Sequence, residues 1–557
     1  MFSKTLKKLV FAGLIIIIAI VPVLAIFSEN TSQQYDIPRM LGMEGSVSEV
    51  AQLAGPPTTD ISAPIFETHG SAHSSDKDLR DLPQTGPKDK KPAREMGSPF
   101  DPSASVIQPD GALQGSAPAI NMPAPTNGTG FAGLDLQNWG GGWPPDTHGA
   151  VGPNHYIQAV NTSMAVYDKA TGTRLSAFTM NNFMGGVAGS ACDAYNQGDP
   201  IVLYDQYSGR WIVTDFAWKS TRGPFYECFA VSKTADPVSG GWWFYQVEVS
   251  ATQLGDYPKL GVWPDGIYMG ASMFKAARTY SGAKVWVFNR SDLISGATLR
   301  SVSFTLGTSY FSVFPSTTAP FGGEPPAGTP NYFFSDYGVT NAVRMWKFTT
   351  NWTTPSASSF TGPVTIATAA YTKPASASVP QKNSTEKLDT LGDRLMSNFE
   401  YRNLNGAESL WLTRSVMNGT YTGIRWMEIR GMSGTPSVYQ QGTFAPDTNY
   451  RWMPSIGVDK FGNMAVGYSV SSSTMFPAIR YAGRLAGDPL GTLGQGEASL
   501  VEGTGSQSGG YNRWGDYASM TIDPNDGCTF WFTTEYYVTT GSNWQTRIGS
   551  FKFPGCP

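Results

Sequence analysis

GDPIVLYDQYSGRWIVTDFAW, residues 198–218, opens on an aspartate, runs through an apolar strand, turns at Ser208-Gly209 and returns as a second apolar strand. The same design recurs along the chain. It reads PPDTHGAVGPNHYIQAVN from Pro144, GDYPKLGVWPDGIYMGASMF from Gly255 and GDRLMSNFEYRNLNGAESLWLTRSV from Gly392. It returns as RWMPSIGVDKFGNMAVGYSV from Arg451 and RWGDYASMTIDPNDGCTFWFTTEYY from Arg513. A further strand follows each hairpin and often ends on a basic residue: SMAVYDK, CFAVSK, KVWVFNR, AVRMWKFT, GIRWMEIR, AIRYAGR and RIGSFKF. There are six clear opening hairpins and seven of these third strands. Units of roughly 50–80 residues with three or four strands each are the signature of radially arranged sheets. The fold class is therefore all-β, a seven-bladed β-propeller.

Composition agrees. Aromatic residues make up 13%, charged residues only 15%, and Gly and Pro are frequent, with 62 and 39 copies. That balance suits many short strands joined by turns. A chain of 557 residues is too long for one ordinary core, whereas a toroid buries each sheet against two neighbours. The net charge is −4 and no basic block occurs in the repeats, which argues against nucleic acid as a partner. The stretches Gly307–Ala327 and Thr361–Leu391 lack alternation and read as long loops between strands.

Upstream of the repeats the chain divides in two. Lys4, Lys7 and Lys8 precede an apolar run from Leu9 to Phe27, the pattern of a secretory signal, with Val23-Leu24-Ala25 offering a cleavage site. Uncleaved, residues 9–27 are long enough to anchor the chain in a membrane, so residues 1–27 are a signal peptide or an anchor. Residues 28–129, rich in Ser, Pro, Gly and Ala, read as a disordered linker or pro-segment, and the propeller as residues 130–557. The four cysteines all lie in the repeats, and an even number in an exported chain reads as disulfides. Cys192 with Cys228 and Cys528 with Cys556 each fall within one unit, which favours those pairs. The protein is expected to be secreted or held at the cell surface.

The strings PPDTHGAVGPNHY, GDPIVLYD, DYPKLGVWPDG, RWMPSIGVDKFGN and RWGDY resemble those of a largely uncharacterised family of exported microbial β-propeller-like proteins. The resemblance covers nearly all of the repeat region. It implies export and a propeller-like fold, and it implies no reaction.

In a propeller the opening strand of each blade lies innermost, so residues at the openings share one channel mouth. Asp146, Asp199, Asp256, Asp393 with Arg394, Arg451, and Arg513 with Asp516 occupy those positions. Three arginines converging there would suit a carboxylate, because guanidinium forks bind it bidentately. The same residues would equally serve as ion pairs tying blades together. The three-arginine arrangement is similar to that of sialidases, which also need an activated tyrosine. Tyr401 with Glu400 or Glu408 is the available set, although Glu400 and Tyr401 are adjacent on a strand and face opposite ways. His148 and His155 are close in sequence but match no metal spacing. No Ser/His/Asp elbow, phosphate loop or dinucleotide fingerprint occurs. Asp523-Pro-Asn-Asp-Gly527 offers hard oxygens for calcium, and is also a good turn; no other cofactor is called for. Trp139, Trp143, Trp242, Trp243, Trp263, Trp452 and Trp514 cluster near openings, where exposed rings would stack on sugars.

Three functions follow. The first is a non-catalytic exported propeller that binds a glycan, a cell-surface component or a protein. The second is an exo-acting glycoside hydrolase or lyase on an acidic carbohydrate, and the third is an envelope structural protein. Convergence of Arg394, Arg451 and Arg513 in one pocket would favour the second.

Overall fold

The computed structural model describes residues 60–90, 99, 107–114, 124–185, 189–510 and 512–557. The expected signal segment 1–27 and the first part of the linker, 28–59, lie outside these residues. Seven antiparallel sheets form the blades of a propeller. Their innermost strands are, in order, His148–Val151, Ile201–Asp205, Gln253–Trp263, Phe314–Pro315, Met396–Leu404, Tyr450–Val458 and Ser519–Ile522. Inner strands of adjacent blades touch one another, blade four meeting blade five through Thr317 just past its inner strand, and the seventh touches the first, so the ring is closed. All seven third strands read from the sequence are third strands of successive blades.

Closure joins the two ends of the propeller region. Strand Thr126–Asp135 pairs antiparallel with Gln545–Lys552 and so completes blade seven. Blades pack face to face on aromatic and aliphatic side chains, as where Tyr481 of blade six stacks on Phe551 of blade seven at 3.7 Å between ring centroids. Close approach fixes certain glycines. A Cβ on Gly270 would lie 2.0 Å from the Val313 carbonyl oxygen of the next blade, which no side chain tolerates. Both disulfides form within a blade unit, Cys192–Cys228 and Cys528–Cys556. Such bonds are typical of an oxidising compartment. Among the described residues no helix is long and apolar enough to cross a membrane.

Two sequence expectations need correction. The inner strand of blade four, Phe314–Pro315, lies inside the stretch taken for a loop. Two residues are too few to show alternation, and they are held by pairing with Phe333 and Phe334. The outer strand of the same blade, Ser359–Ala367, runs into the second supposed loop.

The second correction concerns residues 28–129. The described part of that span forms a belt on the outside of the propeller. Strand Ile65–Thr68 adds a fifth strand to blade three, and His73–Ser75 adds one to blade two. Leu79 is buried among side chains of blades one and two, and Lys90 Nζ donates to the carbonyls of Leu136 and Gly140. Residues 107–114 continue along blades four to six. Gln108 bonds Asn341 and Tyr371, Asp110 pairs with the buried Arg425, and Gln114 bonds Leu493. The strands are short and their sequence is weakly β-forming. They exist because the outer edges of two blades offer unpaired backbone groups, and pairing satisfies both partners.

Candidate functional site at the channel mouth

The inner strands do not enter their blades smoothly. Asp146, Asp199, Tyr257, Ser312 and Met453 each take positive φ, between 49° and 54°, at the opening of blades one, two, three, four and six. In blades three and six this coincides with a register shift, between Asp256 and Lys259 and between Trp452 and Ser455. Such bulges re-aim side chains and are common beside sites. Aspartate tolerates the left-handed region, whereas Tyr257 and Met453 are held there at a cost in strain.

At the mouth, Asp146, Asp199, Asp256, Arg394, Arg513 and Asp516 come together in one electrostatic group. Asp146 is buried, its Oδ2 accepting from Asn161 Nδ2 at 2.6 Å and its Oδ1 from the Asp516 backbone at 3.2 Å. Asp199 Oδ2 accepts from the Tyr517 hydroxyl at 2.7 Å. The hydroxyl of Tyr257 donates to the Asp516 carbonyl at 2.9 Å. Arg513 pairs with Asp516, and Arg394 makes a fork with Asp393 while lying 4.5 Å from the Tyr257 ring centroid. Lys259 points its ammonium at two rings, 3.6 Å from that of Tyr257 and 3.0 Å from that of Tyr517. Cations over aromatic faces are attracted by the ring quadrupole.

The group is short of compensation. Six acidic side chains, Asp146, Asp199, Asp256, Asp389, Asp393 and Asp516, face four basic ones, Lys259, Lys373, Arg394 and Arg513. Burial pushes the Asp256 carboxyl up to about 8, with Asp199 adding repulsion and Arg513 and Arg394 opposing it. Burial also raises Asp146 and Asp199, and Asp516 repels both. Behind them Asp215, Glu227 and Glu535 are buried and likewise raised, Glu227 to about 8. Burial drives Lys259 down, against the pull of Asp199 and Asp146. Burial works against the charge of Arg513, but Asp516 and Asp146 more than offset it and hold the guanidinium protonated. Several polar atoms lack a hydrogen-bond partner among the described residues: Lys259 Nζ, Arg513 Nη1 and Asp516 Oδ1. Orphaned buried groups of this kind mark places where water or a ligand belongs. Asp199, Asp256 and Arg513 remain partly exposed, so the group opens to solvent.

Arg451 is elsewhere. Its side chain is held within blade six by Asp447 and Glu497, so the three arginines do not converge. Tyr401 does donate to Glu408, at 2.5 Å, but it is buried against Trp263, and Glu400 pairs with Arg402. His148 is buried, its Nδ1 accepting from the Val202 amide at 3.2 Å, and burial together with Lys259 lowers it to about 3. It does not pair with His155 on a metal; among the described residues the only group with metal-ligand spacing is Asp526, Cys528 and Cys556. The two cysteines of that group are bonded to each other. In the proposed calcium turn, Asp523 receives the Lys169 ammonium at 2.9 Å and Asp526 caps the amides of Cys528 and Thr529. The tryptophans are not a stacking surface either. Trp139, Trp242, Trp263, Trp452 and Trp514 are buried between blades, and Trp143 and Trp243 are partly so.

Sequence reasoning found the mouth aspartates and missed Tyr257, Lys259 and Tyr517. A signal was present: Gly-Asp-Tyr occurs twice, at 255–257 and 515–517, and both tyrosines reach across to another blade.

No protein-family model and no curated protein matches the chain. Among solved structures, it is similar to an exo-β-1,3-galactanase from Phanerochaete chrysosporium with galactose, at 9% identity over 68% of this chain and 80% of that one, with a TM-score of 0.27. A GH43 endo-arabinanase from Bacillus licheniformis matches at 13% identity over 52% and 96% of the two chains, with a TM-score of 0.23. The WD40 domain of SCAP from fission yeast matches at 6% identity over 71% and 82%, with a TM-score of 0.31. Likeness at this level assigns no activity to the chain.

Proposed function

We propose that the channel mouth is a ligand site and that the protein is an exported, non-catalytic propeller that binds a glycan of the cell surface or its surroundings. One observation carries the reading. Asp199, Asp256 and Arg513, from three blades, present partly exposed acceptors and a donor side by side, above polar atoms that have no hydrogen-bond partner among the described residues. A sugar hydroxyl both donates and accepts, so it satisfies a carboxylate and a guanidinium at once. Strain at Tyr257, within the same group, is of the kind that persists where function requires it. Export is supported by the two disulfides and by the signal-like pattern of residues 4–27. The test is a glycan array probed with the purified protein and with Arg513→Met. Binding of at least one glycan class by the parent, reduced tenfold or more in the variant, is the expected result. No binding to any glycan would remove this reading and leave a protein or other cell-surface partner, or the envelope structural role.

A second reading has one observation in its favour. A carboxyl raised to about 8, as at Asp256, remains protonated at neutral pH and is a competent general acid. It supports the exo-acting hydrolase or lyase on an acidic carbohydrate, with the partly exposed Arg513 as the carboxylate-binding residue. Release of reducing ends from an array-positive glycan, abolished in Asp256→Asn while binding survives, would establish it.

A further inference from the structure

The belt builds a second concave site. Where it crosses from blade three to blade two, Glu67, Thr68 and His69 of the belt face Glu248, Val249, Ser250 and Ala251 of blade two and Lys284 of blade three. They enclose an open groove of about 460 Å³. Pockets for small molecules commonly span about 300–1,000 Å³. The groove exists only because Glu67 is brought opposite Ser301 by strand pairing.

Its hydrogen-bonding is incomplete on both sides. The Oε2 atom of Glu67 is buried and has no donor among the described residues. Lys284 Nζ has three protons and one long acceptor, the Val249 carbonyl at 3.3 Å, besides lying 4.8 Å from the Trp286 ring centroid. His69 is occupied: its Nε2 meets Ser301 Oγ at 2.7 Å, and burial, then Lys284, lowers it to about 4, so it is neutral. Glu248 stands exposed at the lip. Two carboxylates against one ammonium give the groove an acidic balance, which disfavours anions. Most lining side chains are polar and no aromatic ring other than the His69 imidazole lines it, so an apolar ligand has little to pack on.

We infer that this groove binds a neutral polyhydroxylated molecule the size of a mono- or disaccharide. One ligand hydroxyl accepts from Lys284 and donates to Glu67, and the polarised pair is stronger than two separate bonds. The site is separate from the channel mouth and does not depend on the function proposed for it. Binding there also ties the belt to two blades.

The experiment is saturation-transfer NMR on the whole protein with cellobiose, lactose and chitobiose as probes. At least one disaccharide should bind. Lys284→Met and Glu248→Gln should each weaken it, by about tenfold or more and by about threefold, while Ser437→Ala, exposed on the outer strand of blade five, leaves it unchanged. Glu248 is exposed, so its variant folds as the parent does, and melting curves identify any fold defect in Lys284→Met. Absence of binding by all three sugars, or binding retained undiminished in both groove variants, overturns the inference.

Discussion

The mouth group and the Arg451 knot in blade six use the same residue types and differ in how completely they are satisfied. Around Arg451 every donor is filled. Nε and Nη2 bond the two oxygens of Glu497 at 2.8 and 3.0 Å, and Nη1 and Nη2 bond Asp447 at 2.8 and 3.1 Å. Tyr468 and Arg480 complete the Glu497 carboxylate at 2.6 and 3.0 Å. At the mouth, carboxylates outnumber cations and charged atoms lack hydrogen-bond partners among the described residues. A complete network is the structure of a strut. An incomplete one is costly to the fold and is explained by something outside the protein that completes it.

The comparison is broken most forcefully at Arg451. Arg451→Met removes the buried guanidinium that ties Asp447 to Glu497; because Asp447 is exposed, the expected loss is about 2–3 kcal/mol, below the about 3–5 kcal/mol of a fully buried pair. Calorimetry should show that loss, with ligand binding at the mouth unchanged in the fraction that remains folded. A variant that melts with the parent would mean the knot is not a strut.

A smaller effect sharpens the mouth side. Asp256 titrates near 8 in the fold and in the usual carboxylate range when unfolded. Between about pH 4 and pH 8 the folded state therefore holds a proton that the unfolded state has released, and stability falls as pH rises through that window. Above it the loss is complete. Asp256→Asn should lessen the slope and raise stability at pH 8 by about 1–2 kcal/mol, the full shift being discounted for partial exposure. Denaturant titrations at pH 5 and pH 8 measure it; an unchanged slope would place the carboxyl in an ordinary environment.

How far the sequence revealed this can be traced to particular residues. The third strands showed the blade number because each carries several apolar residues in alternation. Blade four's inner strand was hidden because it is two residues long. The belt was hidden because strands of four and three residues have no period of their own and form only against an edge already built. Asp146, Asp199 and Asp256 were legible because they open strands that share one rim. Arg451 was misplaced by analogy. Arg451-Trp452 and Arg513-Trp514 look alike, and the two tryptophans do meet at 5.5 Å between ring centroids. Arg451, however, lies in an inner strand paired with Val470, while Arg513 lies in the loop before its strand, Ser519–Ile522. Tyr257, Lys259 and Tyr517 read as ordinary strand and turn residues. Only a bulge, which no spacing announces, turns Lys259 onto the two rings.

The most direct test of the central claim is the melting temperature of the double variant Asp199→Asn, Asp256→Asn against the parent at pH 8. Both substitutions keep an acceptor, so the amide oxygen at position 199 still receives the Tyr517 hydroxyl, and both remove repulsion. If the mouth is kept for a ligand, the double variant melts at or above the parent, because the fold no longer bears the cost of the site. If it melts well below the parent, the carboxylates are struts like the partners of Arg451, and the mouth is not a ligand site.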